Sequence, residues 1–588
     1  MLKIIFLISG FLVFLNSCSE TYSITEEKKI ISNLDWKAFN QELFDIAKQE
    51  NKLVLLNIGA NWCHWCHVME DSTYANSEVQ NFLNEHFILS HEDQDSRADL
   101  FSKYRNYGWP ATIIFNSNAE ELLALKGYQE KSKFISFLED VIENPIVKSS
   151  SEILSNIDED TLNINDDSVL IARFNQLIDH QKGSLNTSKK SLNKATIDMA
   201  LNLADENDSL DSWLSTSIQN SYHLLDPVWG GIYQYSTNAD WNHQHFEKIL
   251  RVQADYISMY VQYGFQFSDT VAISNAEKIY NYCNLFLSDN APLFDNSQDA
   301  DYITGIESSH YYSLTENERL KLGTPTVNHQ QFLKENAMMS ISLAKLWAAT
   351  NNINYLLRAE KIIRILNRDF YQSNGLYARG IKDEGIYSLE DNVAMLEALN
   401  LAYQISGDKK YILKSEELSF AILENFEAKN GQLYSSCGDI IVEPIILPNS
   451  NYSAALAIHQ TGNCLNSDTL KNSGKSIAKK IFEATFAQSE YLIPYILKSR
   501  KYFEEEPYHA VWLTNKFGNE LEYSMLKKVI LNLESNFVFD RINLTNMTDE
   551  QALLYGSAEA NTLFMCTTNF CSSPIKSVEE LERFFSNQ

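Results

Sequence analysis

The first regular signal along the chain is an apolar run from Ile4 to Leu15, behind a lone Lys3. It falls short of the roughly 18 apolar residues of a membrane span, and no later stretch reaches that length, so this leader alone is expected to enter a bilayer deeply. Residues 19 to about 33 are polar without a packing period and read as a tether. Helical spacing then runs from Trp36 to about Glu50, and Leu53-Val54-Leu55-Leu56 is the continuous apolar run of a buried central strand. The pattern goes on with a helix over Glu78 to Glu85, a strand over Phe87 to His91 and a helix over Ala98 to Tyr107. A strand over Ile113 to Phe115, another over Leu122 to Leu125 and a helix over Lys131 to Ile142 complete a βαβαββα order. Beyond about residue 145 strands become scarce. Amphipathic helices recur over 211–225, 246–265, 271–289, 329–350, 353–370, 390–405, 408–426, 450–461 and 467–485, pairing successively into hairpins.

Between hairpins lie aromatic, glycine-containing loops such as Asp226 to Tyr233 and Asn374-Gly375-Leu376-Tyr377. That alternation is the layout of an (α/α)6 toroid, whose inner helices surround a cleft lined by the loops at one end. At 588 residues and 44% apolar content the chain has material for at least two cores. The expected division is a leader over 1–17, a tether over 18–33, an α/β domain over 34–145 and a mostly α toroid over 146–588. The net charge is −29, from 48 basic and 77 acidic residues spread along the chain, which excludes nucleic acid and anionic lipid surfaces as partners. Eight cysteines are too few for a disulfide scaffold. Cys283 reads as a helix-core residue, and Cys566 and Cys571 are close enough to pair.

The chemistry concentrates in Asn61-Trp62-Cys63-His64-Trp65-Cys66-His67-Val68-Met69-Glu70, between a strand and a helix. Cys63 then heads the helix, where unpaired amides and the helix dipole favour its thiolate, and Cys66 lies one turn inside as the resolving thiol. The same residues satisfy the C-x-x-C-H pattern of haem attachment, but the preceding apolar strand is not the start of an enclosing helical haem pocket. Zinc would need a second ligand pair from a distant segment, and none is evident, so neither a metal nor a cofactor is expected. A purely structural pair is the remaining alternative.

Trp-Cys-x-x-Cys followed by Pro110-Ala111-Thr112 at a strand start resembles a thioredoxin. The resemblance implies a cis-proline at Pro110, exposed backbone beside the cysteines, and protein thiol or disulfide clients. Where ordinary thioredoxins carry a buried Asp before the motif, this chain has Asn57, which leaves His64 or His67 to move protons. Leu15-Asn16-Ser17-Cys18 resembles the lipobox of bacterial lipoproteins. It implies cleavage before Cys18, acylation of that residue, and a membrane-anchored protein facing the periplasm or cell exterior.

A wider resemblance rests on motifs in one order: Cys-His-Trp-Cys-His-Val-Met, Gly-Trp-Pro, Trp229-Gly230-Gly231 with Tyr235-Ser236-Thr237 and Trp241, His245-Phe246-Glu247-Lys248, and Ser297-Gln298-Asp299-Ala300-Asp301. Together they resemble the spermatogenesis-associated thioredoxin-like family, which joins a thioredoxin-like domain to a six-hairpin glycosidase-like toroid. The resemblance implies the fold and leaves the reaction open. This chain departs from it at Asp179 to Ser184 and at Arg251-Val252-Gln253, where Asp255 is the nearest acid. Candidate cleft residues are His245, Glu247, Asp299, Asp301 and Asp391, with Trp229 and Trp241 as sugar-stacking walls; the aspartates also suit helix caps or turns. The leading expectation is an exported thiol–disulfide oxidoreductase. The alternatives are a carbohydrate-active or carbohydrate-binding toroid with an accessory thioredoxin domain, and a partner-binding platform.

Overall fold

The apolar run that begins at Leu53 forms the centre of a five-stranded sheet. The computed structural model describes residues 34–147, 167–203, 208–306, 308–382, 385–485, 490–514, 518–531, 537–555 and 558–586. Cys18, the leader and the tether lie outside these residues.

In chain order the first domain comprises β1 (Trp36–Lys37), α1 (Gln41–Glu50), β2 (Leu53–Gly59), α2 (His64–Met69), α3 (Ser77–His86), β3 (Phe87–Asp93), α4 (Ala98–Tyr104), β4 (Ala111–Phe115), β5 (Glu121–Lys126) and α5 (Lys131–Glu143). The sheet order is β1-β3-β2-β4-β5, with β3 parallel to β1 and β2, and β4 antiparallel to β2 and β5. This is a thioredoxin-like fold. Successive side chains of β2 serve two cores: Leu55 packs with Leu89, Ile114 and Phe134, whereas Val54, Leu56 and Ile58 pack with Phe44, Ile88 and Phe115. The helix expected from Trp36 starts at Gln41, because the Asn40 side chain caps it by accepting from the Leu43 N–H, while Trp36 and Lys37 extend the sheet edge.

The helical domain begins with α6 (Asp167–Phe174), α7 (Lys194–Leu203), α8 (Asp208–Ser221), α9 (Leu250–Gln266) and α10 (Thr270–Phe286). After short α11 (Ser309–Tyr312) and α12 (Glu316–Leu322) come α13 (Leu333–Thr350), α14 (Ile353–Asp369), α15 (Leu389–Ser406), α16 (Lys409–Asn425), α17 (Pro448–Leu465), α18 (Asp468–Thr485) and α19 (Ile493–Glu504). Among the described residues α7, α9, α13, α15, α17 and α19 pack neighbour to neighbour into a closed ring, and α8, α10, α14, α16, α18 and α6 pack outside it. This is the (α/α)6 toroid. Outer α14 shows why it was legible: Tyr355, Leu356, Ala359, Ile362, Ile363 and Leu366 form one buried stripe. The loops carry β6 (Tyr235–Ser236), β7 (Gln244–His245), β8 (Lys248–Ile249), β9 (Ser297–Gln298), β10 (Val327–Asn328), β11 (Ile386–Ser388) and β12 (Ser436–Gly438).

A side-chain clamp repeats at the head of the inner helices. Asn336 accepts from the Phe294 N–H (2.8 Å) and donates to the Phe294 carbonyl (3.0 Å). Asn392 does the same to Tyr377, Asn451 to Leu433, and Gln253 to Ile232. Each amide satisfies both backbone groups of one buried loop residue, and so ties the loop before a helix to its first turn.

Strands return near the C-terminus, which the sequence pattern did not lead us to expect. β13 (Tyr508–Thr514), α20 (Glu520–Leu531), β14 (Phe537–Asn543), α21 (Asp549–Tyr555), β15 (Thr562–Cys566) and α22 (Val578–Ser586) form a unit around a sheet of order β14-β13-β15. Ala510, Trp512, Phe539, Leu563 and Met565 join the main helical core, and Cys566 pairs with Cys571 in a disulfide. Among the described residues no helix is long and apolar enough to cross a membrane.

The thioredoxin-like domain sits over the end of the toroid where the inner helices begin. Val442 packs among Phe39, Leu43 and Phe44, Lys103 donates to the Glu443 carbonyl at 3.1 Å, and Arg105 lies 3.7 Å from Glu390.

Candidate functional site

The strand β2 ends at Gly59 and the chain turns into α2, with Cys63 as its N-cap. The Cys63 sulfur accepts from the Cys66 N–H at 3.3 Å, and the Cys66 sulfur faces it from 2.6 Å. The Trp109–Pro110 peptide is cis, and Trp109 packs against the cysteines. The placement matches the sequence reading; the electrostatics do not. Both cysteines are buried, at 5% and 3% exposure, beneath Ile249 of β8 and Val252 of α9. Burial pushes the Cys63 thiol well above its ordinary value, Cys66 and the charge of Glu247 push the same way, and the helix-end amide is outweighed. The helical domain thus covers the cysteine pair.

His64 and His67 point from α2 into the helical domain. His64 Nδ1 lies 2.9 Å from Asp301 Oδ1, and His67 Nε2 lies 2.9 Å from Asp299 Oδ2. The hydrogen bond to Asp301 raises the His64 pKa. Burial opposes charge on His67, but Asp299 outweighs it, and that pKa is raised too. The aspartates also shape their own loop, as the cap reading expected: Asp299 Oδ1 accepts from the Asp301 N–H and Asp301 Oδ2 from the Gly305 N–H, both at 2.9 Å.

Glu247 lies beneath the same junction. Burial lifts its carboxyl to about 7, and Asp299 and Asp301 add to the lift. His245 stacks on Tyr235 at 4.3 Å, and burial, with Lys189 and His64, lowers its pKa to about 4. Lys248 faces away from Glu247. Its ammonium donates to Asp226 at 2.7 Å, where Arg319 also binds at 2.8 Å, all three residues being buried.

Three groups here escaped the sequence reading. Asp95 Oδ2 accepts from the Trp62 indole N–H and from the Asn296 amide, each at 2.7 Å, and the Asp95 carbonyl accepts from Arg379. Arg379 also binds Asp391 at 2.9 Å and Glu335 at 3.3 Å, so Asp391 is the partner of a buried guanidinium and not a cleft acid. His91 shares a 3.1 Å hydrogen bond with Asn57. A methyl group added at Gly59 would meet both Cys66 Sγ (3.6 Å) and His91 Cε1 (3.8 Å), so Gly59 lies between them.

Residues 16–160 match the family model Thioredox_DsbH, described as a protein of unknown function, DUF255. The chain is 26% identical over 316 residues to Spermatogenesis-associated protein 20 of Mus musculus, an alignment that covers 46% of this chain and 39% of the mouse protein. It therefore spans about two fifths of the length of that relative. Disulfide bond reductase DsbH of Chlamydia pneumoniae is 25% identical over 103 residues, 16% of this chain and 61% of that protein. Among solved structures, a sugar epimerase from a ruminal bacterium aligns with a TM-score of 0.42 and 15% identity, over 55% of this chain and 87% of the epimerase. At this distance the first domain is similar to thioredoxin-like thiol–disulfide oxidoreductases.

The expected aromatic walls are used internally. Trp229 packs on Phe286 at 4.8 Å and under the Arg319 guanidinium, and Trp241 donates its indole N–H to the Lys182 carbonyl at 2.8 Å; both are buried. Gly231, at φ +78°, lets this loop approach the Tyr282 ring so closely that an added Cβ would lie 2.5 Å from it. Open space lies instead on the toroid axis, in a cavity of about 350 Å³. Lys194, Asp255, Lys334, Glu390, Asn449 and Tyr495 line it, one from each inner helix. Burial raises the Asp255 carboxyl although lysines surround it, whereas Glu390, beside Lys334 and Arg105, is held down at about 2 despite its burial.

Proposed function

We propose that this chain is a thiol–disulfide oxidoreductase working through Cys63 and Cys66, with the helical domain covering the pair between turnovers. The observation that carries this reading is the position of Cys63 at the head of α2, with Cys66 one turn inside and Trp109–Pro110 alongside. When Ile249 and Val252 move off, Cys63 loses its proton and its thiolate attacks one sulfur of a client disulfide. The client S–S bond breaks and its second sulfur leaves as a thiolate that takes up a proton. Cys66 then attacks Cys63 in the mixed disulfide, releasing the first client sulfur, so the client gains two electrons and Cys63–Cys66 is oxidised; the reverse sequence oxidises a dithiol. We assign the exchange of this proton to Glu247, whose carboxyl burial raises to about 7 and whose charge acts on Cys63.

The test is exchange with a peptide disulfide under a glutathione redox buffer. Cys63→Ser should abolish exchange and Cys66→Ser should trap the client as a mixed disulfide. Exchange at the wild-type rate in Cys63→Ser would refute the reading.

The protein clients, export and lipid anchoring belong to the same proposal, the last two resting on Lys3 to Leu15 and on Leu15-Asn16-Ser17-Cys18. Cys18→Ala should move the protein out of the membrane fraction, and a variant that stays there removes the anchor.

A second reading, carbohydrate binding, is favoured by the axial cavity, where Tyr495 offers a ring beside Asp255 and Glu390. Calorimetry against oligosaccharides should show binding that Tyr495→Ala weakens. Catalysis there would further require two carboxylates about 5–5.5 Å or about 6.5–9.5 Å apart across one bond.

A further inference from the structure

We propose that His67, Asp299 and Asp301 bind one divalent first-row transition-metal ion at the junction of the two domains, with the buried carboxyl of Glu247 behind them. The ligands include neither cysteine.

The geometry of the donors comes first. One ligand atom from each of His67, Asp299 and Asp301 falls within 4.8 Å of the others. His67 Nε2 and Asp299 Oδ2 are 2.9 Å apart. Two donors about 2.0–2.2 Å from a shared ion, at about 90–110° to one another, are separated by about 2.9–3.5 Å. That pair, hydrogen-bonded without an ion, is already at ligand spacing, and Asp301 lies within 4.8 Å of both.

Glu247 supplies an independent observation. It is 5% exposed, close enough to Asp299 and Asp301 to feel both charges, and among the described residues nothing hydrogen-bonds its Oε2. His245 Nδ1 comes no nearer to that oxygen than 4.0 Å. The adjacent cation, Lys248, is committed to Asp226 and the Gly230 carbonyl. Among the described residues no ammonium or guanidinium binds these three carboxylates; Asp301 and Asp299 meet the His64 and His67 imidazoles and Glu247 Oε2 has no hydrogen-bond partner, so a dication would relieve the crowding.

The surroundings hold the donors in place. His64 Nδ1 lies 2.9 and 3.0 Å from the two oxygens of Asp301, and the N–H groups of Asp301 and Gly305 fix the aspartate side chains, the kind of outer partner that orients metal-binding carboxylates. An imidazole among carboxylates suits zinc, cobalt, manganese or iron(II) better than calcium or magnesium. The sequence spoke against zinc for want of a second ligand pair from a distant segment. That zinc site was built on the cysteine pair; the one proposed here takes His67 from α2 and Asp299 and Asp301 from the opposite domain.

The experiment uses the full chain, stripped with chelator, dialysed, and titrated with cobalt(II), then with zinc in competition. The expected result is one ion per chain by elemental analysis and visible d–d absorption from cobalt, displaced by zinc. Asp299→Asn, nearly isosteric, and His67→Ala should each weaken binding at least about tenfold, with far-UV circular dichroism checking the fold. The Cys63→Ser/Cys66→Ser double variant should keep full stoichiometry without change in the cobalt spectrum. Failure of the wild type to hold cobalt or zinc, binding that survives both ligand substitutions, or loss of the ion with the cysteines would each overturn the proposed site. Since the cysteine variants abolish exchange in the functional proposal yet should leave the ion in place, the two proposals fail separately.

Discussion

The Asp95 carboxylate of the thioredoxin-like domain accepts a 2.7 Å hydrogen bond from the side-chain amide of Asn296 in the helical domain. The same oxygen takes the indole N–H of Trp62, the residue before Cys63. One buried carboxylate therefore joins the turn before α2 to the toroid. Asp95→Ala leaves the buried Trp62 indole N–H without its acceptor and the Asn296 amide with only a long contact to the Ser297 hydroxyl at 3.4 Å, at about 1–3 kcal/mol for each unsatisfied buried group. Denaturant unfolding should show a loss of at least about 2 kcal/mol; a midpoint within experimental error of wild type would deny the junction its importance.

The cover over the cysteines predicts slow thiol chemistry. Reduced wild-type protein at neutral pH should react with iodoacetamide at Cys63 more than about tenfold slower than a free cysteine, since burial both hides the sulfur and disfavours its thiolate. Ile249→Ser should raise the Cys63 rate severalfold, read by peptide mapping. Equal rates in the two proteins would show that Ile249 is no barrier.

The repeated amide clamp predicts a strong dependence on both ends of one side chain. Asn392→Leu removes the partners of the buried Tyr377 N–H and carbonyl at once and should cost about 2–4 kcal/mol. Asn392→Asp keeps the acceptor but loses the donor and places a charge in the core, so it should do no better. Thermal melts of the two variants test this, and a tolerated leucine would make the clamp incidental.

A stability decline on mild acidification is expected from His459. The residue is 4% exposed, shares a 2.9 Å hydrogen bond between Nδ1 and the Lys471 carbonyl, and is held down at about 4 by burial and nearby lysines. An unfolded histidine titrates near about 6.5, so between those values the unfolded chain binds more protons and stability rises with pH. The contribution is complete above about 6.5 and falls away as the pH drops toward 4, with a slope of at most about 1.4 kcal/mol per pH unit. His459→Gln should flatten the profile in that window. Parallel wild-type and variant profiles would rule this residue out as the cause.

Much of the architecture could be read from periodicity because it is periodic. β2 is apolar at every step since both of its faces are covered, and α14 repeats at helical spacing since one of its faces is. Inner helices α7 and α19 were harder to see: Lys194, Asp198 and Lys498 face the axial cavity, so polar residues interrupt a buried element. The C-terminal strands escaped because charged or polar residues such as Asp540, Arg541 and Asn543 break their alternation. At the site, the Cys-His-Trp-Cys-His and Ser-Gln-Asp-Ala-Asp motifs each stood out, but nothing local could show that they meet. His64 and Asp301 touch across 237 positions of sequence, and such a pairing leaves no mark in either segment. Glu247 and Lys248 looked like one cluster, yet one faces the junction and the other the Asp226 centre.

A sulfur behind Ile249 and Val252 meets an outside molecule during the intervals when those side chains part. With a dilute partner, the reaction scales with partner concentration and with the fraction of molecules open. With a concentrated partner it levels off, because each cycle then waits on the opening event. That ceiling is the same for a strong oxidant and a weak one. Under the proposed exchange chemistry, the helical domain would set the tempo at which the cysteine pair meets its partners, whatever their redox strength.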